Sequence, residues 1–180
     1  MKTVTRVAAL VLCAVLVLAG SAGRAFAANP ATINVTVTIQ NLSVSATGPI
    51  AFGTVTAGSQ SVSASASSVA NDGNVTETYS LNLTNPAGWT AVQAAPAAEQ
   101  YALLARFNSS APAAGTFTYV DHALSTVAVA CSATKFAGDQ TGLSVPAAAN
   151  RSLWFRFDAP TSTTVTTQQT ITVTITAAAG

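Results

Sequence analysis

The stretch that decides the fold is Arg151-Ser152-Leu153-Trp154-Phe155-Arg156-Phe157-Asp158, closed by Pro160. Leu153, Phe155 and Phe157 fall at every second position, and Trp154, Arg156 and Asp158 fall between them. In an extended chain successive side chains point to opposite faces. This octapeptide is therefore a strand with an apolar face and a polar one that also carries an indole. Trp154 is expected outside the main core, at least partly exposed, on the face of Arg156 and Asp158.

The same grammar recurs outward in both directions. Towards the C-terminus, Ile171, Val173 and Ile175 alternate with threonines in the last strand, after which Ala177-Ala178-Ala179-Gly180 trails off. Towards the N-terminus, Ile33, Val35, Val37 and Ile39 share one face, with Asn34, Thr36 and Thr38 on the other. Leu42, Val44 and Ala46 continue with opposite parity, which implies a bulge or a passage between sheets near Gln40-Asn41. Ile50, Phe52 and Val55 read as a short strand. Val62 to Val69 alternates weakly, with serines outside and alanines inside. Asn71-Asp72-Gly73-Asn74 is a turn sequence, and it reads as a hairpin into Tyr79, Leu81 and Leu83. Asn85-Pro86-Ala87-Gly88 turns again before Trp89. Residues 94–99 and 137–142 read as loops. Tyr101 to Phe107 reads as a strand, although its Ala102-Leu103-Leu104-Ala105 would also suit a helix start. Phe117–Val120 and Val127–Ala133 read as shorter strands. No segment sustains a helical period. Short alternating strands punctuated by Gly and Pro give the expected class: an all-β, immunoglobulin-like or jelly-roll-like antiparallel β-sandwich.

The first residues carry a different pattern. Lys2 and Arg6 precede an apolar run from Val7 to about Leu18, and Ala25-Phe26-Ala27 is a small-x-small sequence. That combination is a secretory signal peptide. Cleavage is expected after Ala27, which leaves residues 28–180 as a single sandwich domain. Cys13, in the middle of the run, does not suit a lipid anchor. No second apolar run follows, so no integral membrane segment is expected after cleavage. The small-residue signal and Ala-rich composition read as bacterial, and the expected location is secreted, extracellular or cell-surface.

Charged residues make up only 7% of the chain, against roughly a quarter in an average soluble domain. After cleavage Arg106, Lys135, Arg151 and Arg156 face Asp72, Glu77, Glu99, Asp121, Asp139 and Asp158, a net charge of −2. Nothing clusters in the way nucleic acid requires. Cys131 is the one cysteine beyond the signal, so no disulfide within the domain is expected. Its alternation with Val127 and Val129 places the thiol in the core. Six Asn-x-Ser/Thr triplets follow from the Ser- and Thr-rich composition and predict no glycosylation.

Ile50-Ala51-Phe52-Gly53-Thr54-Val55-Thr56-Ala57-Gly58-Ser59, followed by Val69-Ala70-Asn71-Asp72-Gly73-Asn74-Val75, resembles the opening pattern of bacterial immunoglobulin-like modules of the ASPM/SPD-2/Hydin type. The resemblance covers about 25 residues. It implies a sandwich used in adhesion or scaffolding and no catalytic residue. In outline alone, without a shared motif, the chain is also similar to fibre proteins of the TasA/camelysin group.

Catalytic and metal chemistry have little to build on. His122, the single histidine, reads as a surface loop residue beside Asp121, and no Gly-x-Ser-x-Gly elbow is present. One His and one Cys do not make a zinc set. The turn Asn71–Asn74 and Gly138-Asp139-Gln140 each offer one Asp, fewer than calcium usually takes. No cofactor fingerprint occurs. The expectation is a protein that is not an enzyme, without cofactor or metal.

Both ends lack charge altogether: residues 28–71 and 159–180 hold no Asp, Glu, Lys or Arg. Edge strands are normally guarded by charge, Pro or bulges. One reading makes both terminal strands central or paired with each other. The other makes a terminal strand an adhesive edge that adds to another subunit. On the second reading the chain is an extracellular structural protein, a fibre or surface-layer subunit, and Ile33, Val35, Val37 and Ile39 are the donor strand. Its partners are copies of itself or other surface proteins. The alternative is an extracellular binding module for carbohydrate or protein. It would use aromatic rings at the sandwich end, with Trp89 and Trp154 the leading candidates beside Tyr101 and Tyr119.

Overall fold

The computed structural model describes residues 31–180; the signal peptide expected at residues 1–27 and its expected cleavage site lie outside them. The chain divides into an N-terminal unit ending at Thr38 and a second unit, Ile39–Gly180, which holds every strand found among the described residues.

That unit is nearly all β, arranged as two sheets of a sandwich. The larger sheet has the order β1-β3-β8-β6-β5: β1 (Val44–Ala46), β3 (Ser67–Asn71), β8 (Asn150–Asp158), β6 (Gln100–Phe107) and β5 (Thr90–Ala91). A further short strand, β2 (Gln60–Val62), pairs with the end of β8 beyond β3. The smaller sheet has the order β7-β4-β9: β7 (Val129–Ala130), β4 (Glu77–Thr84) and β9 (Thr172–Ala179). All strand ladders are antiparallel except the brief β5–β6 ladder, and an isolated bridge from Phe107 to Ala137 is parallel too. One helical turn, α1 (Tyr119–His122), and a 3-10 turn at Ala114–Thr116 lie in the crossover between β6 and β7.

The alternation of β8 sets the two layers. Leu153, Phe155 and Phe157 enter the main core with Tyr79, Leu81 and Leu83 of β4 and Tyr101, Leu103, Ala105 and Phe107 of β6. Burying this apolar surface is the main stabilising term. On the opposite face of the large sheet, Ala102, Leu104, Phe117 and Ala123 form a second cluster, and the half-buried Trp154 packs against it. Arg156 and Asp158, on the face of Trp154, are buried too, at 4% and 3% exposure. The crossover covers them.

Several segments depart from the sequence reading. Ile33–Ile39 carries no strand assignment among the described residues. Alternation supplies the two faces of a strand, but the ladder needs a neighbouring edge. Ile50, Phe52 and Val55 likewise form no strand: they lie in an irregular stretch between β1 and β2, half-buried against the core. Gly53 and Gly58 there have φ of 65° and 73°, the left-handed region open to glycine, and the resulting bends prevent a ladder. The expected hairpin at Asn71–Asn74 is a passage between sheets, since β3 belongs to one sheet and β4 to the other. Asn71 does turn the chain, its Oδ1 accepting from Gly73 N at 2.9 Å. The serine parity around 62–69 holds only in part: Ser65 and Ser68 are exposed as expected, but two serines point inward. Ser63 and Ser67 are buried because each hydroxyl has a backbone partner: Ser63 Oγ accepts from Phe155 N and Ser67 Oγ donates to Thr47 O. Phe117–Val120 leads into α1 instead of forming a strand, with Thr118 capping the helix through Asp121 N. The strand expected at Val127–Ala133 shrinks to Val129–Ala130.

Candidate functional site

The described residues present two places where chemistry or recognition would be built. They lie on opposite sides of the large sheet.

On the outer face of β8, Arg156 and Asp158 form a two-pronged ion pair, with Nε–Oδ1 at 2.8 Å and Nη2–Oδ2 at 2.9 Å. Arg156 Nη1 also donates to the carbonyls of Ala114 and Phe117, and its guanidinium lies 5.8 Å from the Phe117 ring centre and 5.4 Å from that of Tyr119. Tyr119 Oη donates to Asp158 Oδ2 at 2.7 Å, and Gln60 Nε2 donates to the same oxygen at 3.3 Å. Burial, reinforced by the bond to Asp158, pushes the Tyr119 phenol up from its ordinary value. Both charges are paired within the fold, so the cluster acts as a latch holding the crossover to the sheet.

His122 belongs to this covered side. It is buried, not the surface loop residue its sequence context implied. Nδ1 accepts from Thr118 N at 2.9 Å and Nε2 faces Ala137 O at 3.2 Å. This assigns the proton to Nε2 and leaves the ring neutral. Desolvation lowers its pKa from 6.5. Cys131 is buried and free, and desolvation pushes its thiol up to about 12, which keeps it in the unreactive protonated form. No group of three or more His, Cys, Asp or Glu positioned to hold a metal occurs among the described residues.

The second place is a groove of about 1190 Å³ at the other side of the sandwich. Phe155 and Phe157 line its depth. Ile50, Phe52 and Val55 line one side, and Ile171, Val173 and Ile175 line the other. The side chains of these two walls are only half-buried. No charged residue among the described residues lines the groove. Trp89 also lines it, 5.9 Å from the Phe157 ring and 6.3 Å from that of Tyr101, with Nε1 donating to Thr163 Oγ1 at 2.9 Å. The adjoining loop is held by Glu99, whose carboxylate accepts from Thr163 Oγ1, Thr164 N and Thr164 Oγ1. Those bonds lower the pKa of Glu99 from its ordinary 4.5.

The sequence-level candidates are thus separated. Trp89 is at the groove. Trp154 is on the far face of the large sheet, with Nε1 donating to Asn108 O at 2.9 Å. Tyr119 is tied to Asp158. The fold does not gather these rings into one aromatic platform. Of the strand-donor candidates, Ile33, Val35, Val37 and Ile39 are 87%, 87%, 81% and 74% exposed. The root of that segment is fixed: Asn74 Oδ1 accepts from Asn41 N, Asn74 Nδ2 donates to Ile39 O, Asn74 N donates to Asn41 O, and Glu77 Oε1 accepts from Ser43 N. Sequence reasoning missed the groove and the latch. The parity of Arg156 and Asp158 on β8 was a signal for the latch; the groove had none, because its walls come from opposite ends of the chain.

No protein-family model matches this sequence, and no curated protein or solved structure matches it either. Fold and site together define a class only, an all-β sandwich with an apolar groove.

Proposed function

We propose that this chain is a non-catalytic extracellular structural protein, a fibre or surface-layer subunit that joins its neighbours by β-strand addition. One observation carries the reading. Ile33, Val35, Val37 and Ile39 have the alternation of a half-buried strand, yet they lie 74–87% exposed and without a ladder partner among the described residues. Four β-branched side chains on one face are costly to leave in water, each worth roughly 1.5–3 kcal/mol on full burial. Strand addition would bury them and satisfy the backbone between them. The secretion signal expected at residues 1–27, the scarcity of charge and the polar partners that absorb His122, Arg156 and Asp158 support the same reading.

The test is the assembly state of the secreted protein. Size-exclusion chromatography and electron microscopy at rising concentration should show multimers or filaments. Val35→Lys with Val37→Lys should leave a monomer with wild-type circular dichroism, because each new charge would enter an apolar site that cannot solvate it. Wild-type protein that stays monomeric at high concentration would refute the reading and leave the binding module at the Trp89 end as the better account.

A further inference from the structure

We propose that the groove beside β9 is the acceptor for the Ile33–Ile39 segment of a second copy of this chain, which lies along the free edge of β9; the inference rests on the strand-addition reading above and locates its other half. Among the described residues β9 pairs with β4 alone, through a continuous register from Glu77↔Ala179 to Thr84↔Thr172. Its other edge presents unpaired main-chain groups, a template for one more strand. Thr172–Ala179 holds no proline or charged residue to guard that edge.

The missing strand is specified by what flanks the edge. On the core side of β9, Val173 and Ile175 are half-buried, and across the groove Ile50 and Phe52 are half-buried too. Each side therefore has apolar surface that the chain leaves partly in water. A strand filling this space needs apolar residues at every second position on one face and polar, uncharged residues on the other. Ile33, Val35, Val37 and Ile39 meet the first need, and Asn34, Thr36 and Thr38 meet the second. The outer residues of β9 are Thr172, Thr174 and Thr176, all exposed, so the added strand would set polar residues beside threonines, a favourable cross-strand pairing. Lengths agree as well: seven residues span roughly 23 Å and the eight of β9 roughly 26 Å. Neither donor nor groove carries a charge, so no repulsion opposes the union.

A second copy is the occupant because this same chain supplies both halves, the exposed donor and the open acceptor. Repeated head-to-tail, such a contact is heterologous and grows a filament instead of closing a dimer.

The centre of the donor, Thr36, meets Thr176, beside the centre of β9, in either strand direction, and both residues are exposed. The secreted double variant Thr36→Cys, Thr176→Cys should form, on mild oxidation, a ladder of dimers and higher multimers that reducing agent dissolves, whereas each single variant should not. A second experiment separates acceptor from donor. Protein made donor-deficient by Val35→Lys and Val37→Lys should bind one fluorescent peptide spanning residues 31–41 per chain, and the same peptide with Val35→Lys should bind at least tenfold more weakly. Failure of the wild-type peptide to bind a folded, donor-deficient protein would overturn the acceptor assignment, even where wild-type multimers uphold strand addition. A cross-link formed only within one chain would overturn the assignment of a second copy. Wild-type protein that forms no multimers would remove both readings together.

Discussion

β8 and β9 are written in the same grammar, a strict alternation of large apolar side chains with polar ones, yet the molecule treats them oppositely. β8 is central: β2 and β3 line one of its edges, β6 the other, and both of its faces are covered. β9 is an edge, with half-buried residues on one face and exposed threonines on the other. The difference lies in what the chain lays over each. The crossover carrying α1 closes the outer face of β8 by offering the Ala114 and Phe117 carbonyls to Arg156 and the Tyr119 phenol to Asp158, a charge pair that lies within β8 itself. β1 packs near β9 without pairing with it, and no charged residue among the described residues lines the groove beside it to lock a cover in place. Lifting the cover from β8 would expose the pair and leave its hydrogen bonds to the crossover unmade, which holds the crossover down. An uncharged apolar groove can be filled and emptied by another chain.

The largest way to break this contrast is at the latch. Arg156→Ala should destabilise the protein by about 3–5 kcal/mol, because it leaves Asp158 buried without its partner; urea denaturation measures it. The double replacement Arg156→Leu, Asp158→Leu should cost less than the single one. A single replacement costing under about 1 kcal/mol would mean that the outer face is not closed by charge.

The same covered side should respond to pH before the groove does. The pKa of His122 is depressed in the folded state, so the unfolded chain binds the extra proton between 6.5 and the lower folded value. Stability is therefore fully present above pH 6.5 and declines as pH falls through that interval. His122→Gln should flatten the decline in denaturation midpoint below pH 6.5, and an unchanged slope would count against a buried neutral imidazole.

At the donor root, Asn74→Ala removes the acceptor for Asn41 N and the donor to Ile39 O. A loss of about 1 kcal/mol is expected. Its specific mark is faster amide exchange at Asn41, with exchange in β4 unchanged.

The smallest effect is local. Glu99 contributes to holding residues 163 and 164 as long as it is ionised. That contribution is present above about pH 4.5 and is lost as pH falls through the lowered folded-state value. The amide resonance of Thr164 should follow this titration, with a midpoint below 4.5. A midpoint at or above 4.5 would show that the loop beside the groove is not held by this carboxylate.

Much of this contrast was legible residue by residue. The parity of Leu153, Phe155 and Phe157 placed the core face of β8 and left Trp154 outside it. The isolation of Cys131 from other thiols predicted a free cysteine. His122 was misjudged because a histidine next to an aspartate looks solvated until the Thr118 amide and the Ala137 carbonyl are found around it. The Asn71–Asn74 turn was located, but its destination was not: one turn sequence serves a hairpin or a change of sheet.

The sequence by itself determined the class of the chain, since a period of two admits only extended structure, and it determined which residues share a face. Only the tertiary structure decided which strands are central and which are edges. That choice depends on ladders between residues far apart in the chain, such as Leu153 with Phe107 or Glu77 with Ala179, and local alternation carries no information about them. The groove arises the same way, from walls near residue 52 and residue 173 that meet only when β1 and β9 are set at the rims of their sheets.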